Sequence, residues 1–173
     1  MLIGALAHVA IKARDVEATQ RFYIEVLDLT LDRRPEIGFP GIWLKPKQPQ
    51  SAALFHIYAG DAALEPDGSF ASGSGAIDHI SIAAKGYPEF RERFQRFGLQ
   101  WRENVVPGAT LCQLFVYDPS AVLLELTFLV GAETAEEIKV RPKLRYSARE
   151  NFFRAEDYAQ FSGSRAPTLP PIR

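Results

Sequence analysis

The sequence predicts an α+β protein assembled from two tandem β-α-β-β-β modules, and three observations carry that prediction. An apolar–His–β-branched–small–Ile run occurs at Ala5-Leu6-Ala7-His8-Val9-Ala10-Ile11 and again within Ala76-Ile77-Asp78-His79-Ile80-Ser81-Ile82-Ala83. Each copy leads through a short loop into an amphipathic helical pattern. Each copy also closes on a matching strand, Leu54-Phe55-His56-Ile57-Tyr58 in the first and Leu124-Glu125-Leu126-Thr127-Phe128 in the second. One supersecondary unit is written twice.

The elements follow in order. Residues 5–12 read as a strand with His8 near its middle, and Asp15 as the N-cap of a helix over about 16–27. There Val16, Thr19, Phe22, Tyr23, Val26 and Leu27 form one apolar stripe. A strand start at Leu29–Asp32 runs into a loop rich in turn residues from Arg33 to Gly41. Gly41-Ile42-Trp43-Leu44 reads as a third strand, which Lys45-Pro46-Lys47-Gln48-Pro49-Gln50 is expected to end, because proline removes ladder donors. The fourth strand, 52–59, carries His56. Residues 60–75 lack periodicity and read as a linker.

The second copy repeats the plan with a strand over 76–84 and a helix over about 87–97. Tyr87, Phe90, Phe94 and Phe97 share one face of that helix, Pro88 suits its first turn and Gly98 its stop. Leu99–Arg102 is a short strand, Val106-Pro107-Gly108 a turn and 110–117 a further strand. Asp118–Ala121 turns into the last strand, 122–129. Alternation there puts Glu125 on the face of Leu123 and Thr127. The two modules span about 5–59 and 76–130 within one domain of residues 1–130. A charged, then aromatic, then proline-rich extension occupies 131–173. In it Phe152, Phe153, Tyr158 and Phe161 are expected to dock a short helical piece, and the final residues to form an extended end. The extension offers no evident chemistry.

Composition limits the partners. A formal net charge of −1 argues against nucleic acid or an acidic membrane surface. The lone Cys112 cannot form an internal disulfide and reads as a small buried hydrophobe. The apolar N-terminus lacks the basic start of a signal peptide, and its pattern recurs mid-chain, so it reads as a strand. No apolar run approaches membrane-spanning length. The expected location is the cytoplasm.

His8, His56 and His79 are the three histidines of the chain, and all stand on the matching strands, with Glu125 on the fourth. Any one of them alone reads as a hydrogen-bonded core or rim histidine. Four metal-competent side chains, each set in an apolar strand, are costly to bury unless paired, and convergence on one divalent ion would satisfy all four. Imidazole and carboxylate ligands without thiolate suit Zn, Ni, Fe, Co or Mn.

With these residues the chain resembles the vicinal oxygen chelate superfamily: glyoxalase I, bleomycin- and fosfomycin-resistance proteins, and extradiol dioxygenases. The resemblance covers roughly residues 5–130. It rests on the His-hydrophobic-x-Ile strand starts at His8 and His79, and on Phe115-Val116-Tyr117-Asp118-Pro119 leading into Leu123-Leu124-Glu125-Leu126. It implies a cup-shaped mixed/antiparallel sheet around a metal held by His8, His56, His79 and Glu125. It also implies Lewis-acid chemistry on a small oxygen-chelating substrate through an enolate-like anion, with Glu125 or a metal-bound water as base, and a homodimer whose modules pair within or between chains. Two departures stand out. Bacterial glyoxalase I carries a glutamate where this chain has His56, and the family's Asp-Pro-Asp-Gly turn is here Asp118-Pro119-Ser120-Ala121.

Four protein ligands resemble the lyase and isomerase branch. The extradiol dioxygenase branch, an Fe(II) alternative, uses two histidines and a glutamate and would leave His56 as a spare acid–base group. A small-molecule or antibiotic-binding protein is the third reading, for which Trp43, Tyr58, Trp101 and Phe115 are expected to line the cup. Arg33, Arg34 and Arg102 are candidates to hold an anionic group, and Gln113 a candidate to face the cup.

Overall fold

The computed structural model describes residues 2–48, 50–106, 110–131 and 138–163. The expected turn at Pro107-Gly108, the strand-breaking Pro49 and the extended end beyond 163 lie outside the described residues. The chain forms two compact units, one holding residues up to Ala71 together with those from Tyr158, the other running Ser72–Asp157.

In the first unit β1 (Val9–Lys12), α1 (Val16–Arg21), β2 (Leu29–Asp32), β3 (Gly41–Pro46) and β4 (Phe55–Tyr58) follow in sequence. Their sheet order is β1-β4-β3-β2, with β1 parallel to β4 and the other pairs antiparallel. The second unit repeats this with β5 (Ile80–Ala84), α2 (Tyr87–Arg96), β6 (Trp101–Val105), β7 (Leu111–Tyr117) and β8 (Leu123–Leu129), in the order β5-β8-β7-β6. Here too the first and fourth strands are parallel and the rest antiparallel. The result is the α+β class the sequence predicts, as two mixed four-stranded sheets. Among the described residues no helix is long and apolar enough to cross a membrane.

Each helix covers one face of its sheet. Asp15 caps α1, its carboxylate accepting from the Ala18 N–H at 2.9 Å. The α-helix ends at Arg21 and continues as a π-turn over Phe22–Val26, where a single α-helix to residue 27 was expected. The wider turn keeps Phe22, Tyr23 and Val26 all buried, and Tyr23 lies 4.9 Å from Phe55 of β4. On α2, Tyr87 and Phe90 lie 5.5 and 5.8 Å from Phe128 of β8. Gly98 adopts φ +61° and its N–H caps the Gln95 carbonyl, as expected for the stop. Burying each such aromatic contributes about 1.5–3 kcal/mol.

Several boundaries differ from expectation. β1 and β5 begin at Val9 and Ile80, so His8 and His79 stand just before their strands rather than inside them. β3 extends through Lys45 to Pro46, where Pro46 is the terminal residue and its missing N–H interrupts the ladder least. Lys45 gains an ion pair with Asp32 at 2.9 Å across the β2–β3 pair. The linker contains a 3-10 turn at Gly60–Ala63 and an isolated bridge between Leu64 and Phe70.

The extension docks in two places. A 3-10 segment, Ala155–Phe161, lays Tyr158 and Phe161 against Phe22, at 5.8 and 5.9 Å between rings. Within the second unit Phe152 is buried against Phe115 and Leu123, while Phe153 meets Tyr117 at 5.6 Å.

Phe161 is 2% exposed, so Phe161→Ala is expected to cost about 3 kcal/mol in urea unfolding; an unchanged midpoint would show that this docking is not stabilising. Ala121 sits at φ 62° in the turn before β8, where a Cβ is strained by about 1–2 kcal/mol. Ala121→Gly is therefore expected to raise stability, by about 0.5–1 kcal/mol after the glycine's entropy cost. A lower melting temperature would refute that reading of the turn.

Candidate functional site

The open face of the first unit is set by strand register. Ala10 pairs with His56, so His8, two residues earlier on β1's path, lies on the same side as His56. Trp43 is the β3 partner of His56. The three rings stack with His56 in the middle, at 3.9 Å from His8 and 4.1 Å from Trp43. Burial comes first, and His8 and Arg34 second, in pushing the His56 imidazole below its ordinary value.

Arg34 shares this face. Its guanidinium donates to the Phe39 carbonyl at 2.6 Å and lies 5.1 Å from that ring. Its Nε would be 3.5 Å from a Cβ on Gly41, a position where the same Cβ would collide with the Ile57 carbonyl oxygen at 2.2 Å. Glycine is required there. The Arg34 Nε and the Trp43 indole N–H are both buried without a hydrogen-bond partner.

The second unit repeats the register with different chemistry. Ser81 pairs with Glu125, and His79 precedes Ser81 by two residues, as His8 precedes Ala10. Glu125 is buried, and its Oε2 lies 3.0 Å from His79 Nε2. The Ser81 hydroxyl donates to Oε1 at 2.7 Å, and the Thr127 hydroxyl donates to the same oxygen. Hydrogen bonds to a charged group contribute about 1.5–3 kcal/mol each and offset much of the cost of burying it.

His79 Nδ1 contacts Asp78 Oδ1 at 2.7 Å, and the Tyr146 hydroxyl donates to that oxygen at 2.7 Å. These bonds hold the Asp78 carboxyl below its ordinary range, the tyrosine making the larger contribution. Burial and the Asp78 carboxylate push the Tyr146 phenol well up. Asp78 also borders a cavity of about 480 Å³ lined by Ser72, Ser74, Tyr117 and Asn151.

The four sequence-predicted residues thus stand as two pairs, His8 with His56 in one unit and His79 with Glu125 in the other. Among the described residues no group of three or more His, Cys, Asp or Glu side chains converges in a way that would hold a metal. Other expectations are corrected. Trp101 lies on the helix face, with its ring 6.2 Å from Phe94 and its indole donating to Glu103. Arg102 is bound to both oxygens of Glu150 and lies 4.4 Å over Phe152, so it is committed within the fold. Phe115 is on the Glu125 face but covered by Tyr146, stacked at 3.7 Å. Gln113, opposite Thr127, shares the Glu125 face and accepts from Asn104 at 2.7 Å. Cys112 is buried.

Asp78, Ser81, Thr127 and Tyr146 were not singled out as functional. Signals existed for the first three, which sit one or two residues from His79 or Glu125. Tyr146 gave none.

No protein-family profile matches the sequence, and comparison with curated proteins finds no match. Solved structures do share its fold. A glyoxylase/bleomycin resistance protein/dioxygenase domain from Frankia sp. is similar at TM-score 0.56 and 17% identity, over 79% of this chain and 100% of that one. Lactoylglutathione lyase from Agrobacterium tumefaciens matches at TM-score 0.52 and 17% identity, over 73% and 94%. An antibiotic-binding protein from Streptomyces sp. matches at TM-score 0.53 and 16% identity, over 75% and 98%. The chain has the vicinal oxygen chelate fold. Structures sharing that fold include both enzymes and binding proteins.

The His56 stack yields a direct check. In an NMR pH titration His56 is expected to titrate below 6.5, because burial and positive neighbours disfavour the imidazolium. Arg34→Gln removes one of those charges and should move the value upward. A wild-type value at or above 6.5 would contradict the geometry described.

Proposed function

We propose that the chain is a divalent-metal-dependent enzyme of the glyoxalase type, a lyase or isomerase acting on a small molecule with two neighbouring oxygens. In this reading His8, His56, His79 and Glu125 hold the metal, contributed by the two modules of one chain or of two chains in a homodimer. The carrying observation is the shared register, which gives each unit a same-face pair, one member just before its first strand and one on its fourth. Three imidazoles and one carboxylate suit Zn, Ni, Fe, Co or Mn.

A bound ion would supply Lewis acidity for substrate oxygens. The chain's own groups do the rest. Glu125 Oε1 is occupied by the Ser81 and Thr127 hydroxyls, which fix the carboxylate plane. Oε2, facing His79, is then the oxygen left to hold the metal or to take a proton from the carbon beside a carbonyl, the base otherwise being water. The unpartnered Trp43 and Arg34 N–H groups offer donors to an oxygen-rich ligand. They also favour a second reading, a protein that binds a small molecule without turning it over; one neighbour of the same fold is an antibiotic-binding protein.

Metal content of the purified protein separates these readings. About one Zn, Ni, Mn or Co per chain is expected in the wild type, lost in His79→Ala and in Glu125→Ala. Bound iron would favour the ring-cleaving dioxygenase and call for oxygen-uptake assays on catechols. No metal after reconstitution, with both variants folded, would refute the enzyme reading and leave the binding protein.

A further inference from the structure

We propose that Asp78 and Tyr146 are positioning residues for His79, the phenol holding the carboxylate and the carboxylate holding the Nδ1 edge of the imidazole, so that Nε2 is presented toward Glu125. The chain of contacts is continuous. Tyr146 Oη donates to Asp78 Oδ1 at 2.7 Å, the same oxygen meets His79 Nδ1 at 2.7 Å, and Nε2 lies 3.0 Å from Glu125 Oε2. A carboxylate only accepts, so the Asp78 contact places a hydrogen on Nδ1, and without a metal the Glu125 contact calls for one on Nε2 as well. With Nδ1 held by Asp78, Nε2 is the nitrogen at which a metal shared with Glu125 would replace the hydrogen, the pattern by which an outer carboxylate orients a ligating histidine.

The brace is anchored independently of the histidine. Arg145 forms a bridge with Glu103 of β6, and the Tyr146 N–H donates to the Glu103 carbonyl at 2.9 Å. The Tyr146 ring then lies flat on Phe115 of β7, 3.7 Å away with planes 5° apart. Both rings meet His79 edge-on, Phe115 at 5.6 Å and Tyr146 at 6.4 Å. Backbone pairing on one strand, stacking on the next and a hydroxyl bond to Asp78 leave the phenol little freedom. The first unit has no counterpart at this position, since Ala7 precedes His8. The C-terminal extension therefore supports one half of the site only.

The consequence for metal affinity rests on the proposed ligand role of His79, but the brace itself is read in the metal-free protein. The test is ¹⁵N-edited NMR of the imidazoles without metal, His79 being assigned through His79→Gln, combined with zinc titration by calorimetry. Tyr146→Phe keeps the stack on Phe115 and removes only the hydroxyl, so it guards against a folding artefact in Asp78→Asn. The wild type should show a slowly exchanging, downfield Nδ1–H signal for His79. That signal is expected to vanish in Asp78→Asn and to broaden or shift upfield in Tyr146→Phe, with melting temperatures close to wild type. Zinc affinity should fall about 10- to 100-fold in Asp78→Asn and by a smaller factor in Tyr146→Phe. If the wild type binds no zinc, the ligand reading fails while the Nδ1–H signal still decides the brace. An Nδ1–H signal absent from the wild type, or unchanged in Asp78→Asn, overturns the proposal.

Discussion

The parallel pairing of first and fourth strands in each unit is the constraint from which the rest of the architecture follows. A parallel pair cannot close through a tight turn, so each unit places a helix and two strands between its two partners. That crossover delivers the helix to one face of the sheet and leaves the other open. Register then does the chemical sorting. With Ala10 opposite His56 and Ser81 opposite Glu125, the polar side chains point away from α1 and α2 while Phe55, Ile57, Leu124 and Leu126 point toward the core. A slip of one residue would bury His56 and Glu125 under the helices and expose Phe55 and Leu126, a change that burial energy forbids.

The same scaffold gives the two units different electrostatics. His8, His56 and Trp43 form an aromatic stack beside Arg34, a surface of nitrogen donors with no carboxylate in the contacts described. Asp78, His79 and Glu125 form an anionic cluster ordered by Ser81, Thr127 and Tyr146. Repetition of fold is thus not repetition of chemistry. The differences fall at matched positions: Ala7 against Asp78, Ala10 against Ser81, His56 against Glu125, Tyr58 against Thr127.

What the sequence made legible was what period and punctuation encode. The duplicated run, the strand alternation, the Asp15 cap and the Gly98 stop are local signals, and each corresponds to an observed element. Misreadings arose where a distant partner changes what a residue can do. Trp101 was expected to line the cup, but it shares the helix face with Glu103, whose buried charge breaks the polar-out pattern of that strand. The Glu103 partners Tyr87 and Arg91 lie on α2. Arg102 looked available because Glu150 is far along the chain, and Tyr146 carried no signal because it reaches Asp78 across 68 residues of sequence.

Two buried glutamates on opposite faces of one sheet distinguish support from chemistry. Glu103 shares the face of Leu114 and Leu126, and receives the Tyr87 hydroxyl at 3.1 Å and the Trp101 indole at 2.9 Å. The Arg91 guanidinium stands 2.9 Å from it, a fixed charge within the fold. Arginine stays cationic across the whole working range of pH, so the Glu103 carboxylate has a fixed countercharge within the fold. Glu125 is held by two hydroxyls and an imidazole, and among the described residues no lysine or arginine pairs with it. Those partners orient a carboxylate without cancelling its charge. The two carboxylates therefore differ in kind, Glu103 matched by a guanidinium and Glu125 held by hydroxyls and an imidazole that a bound ligand could replace.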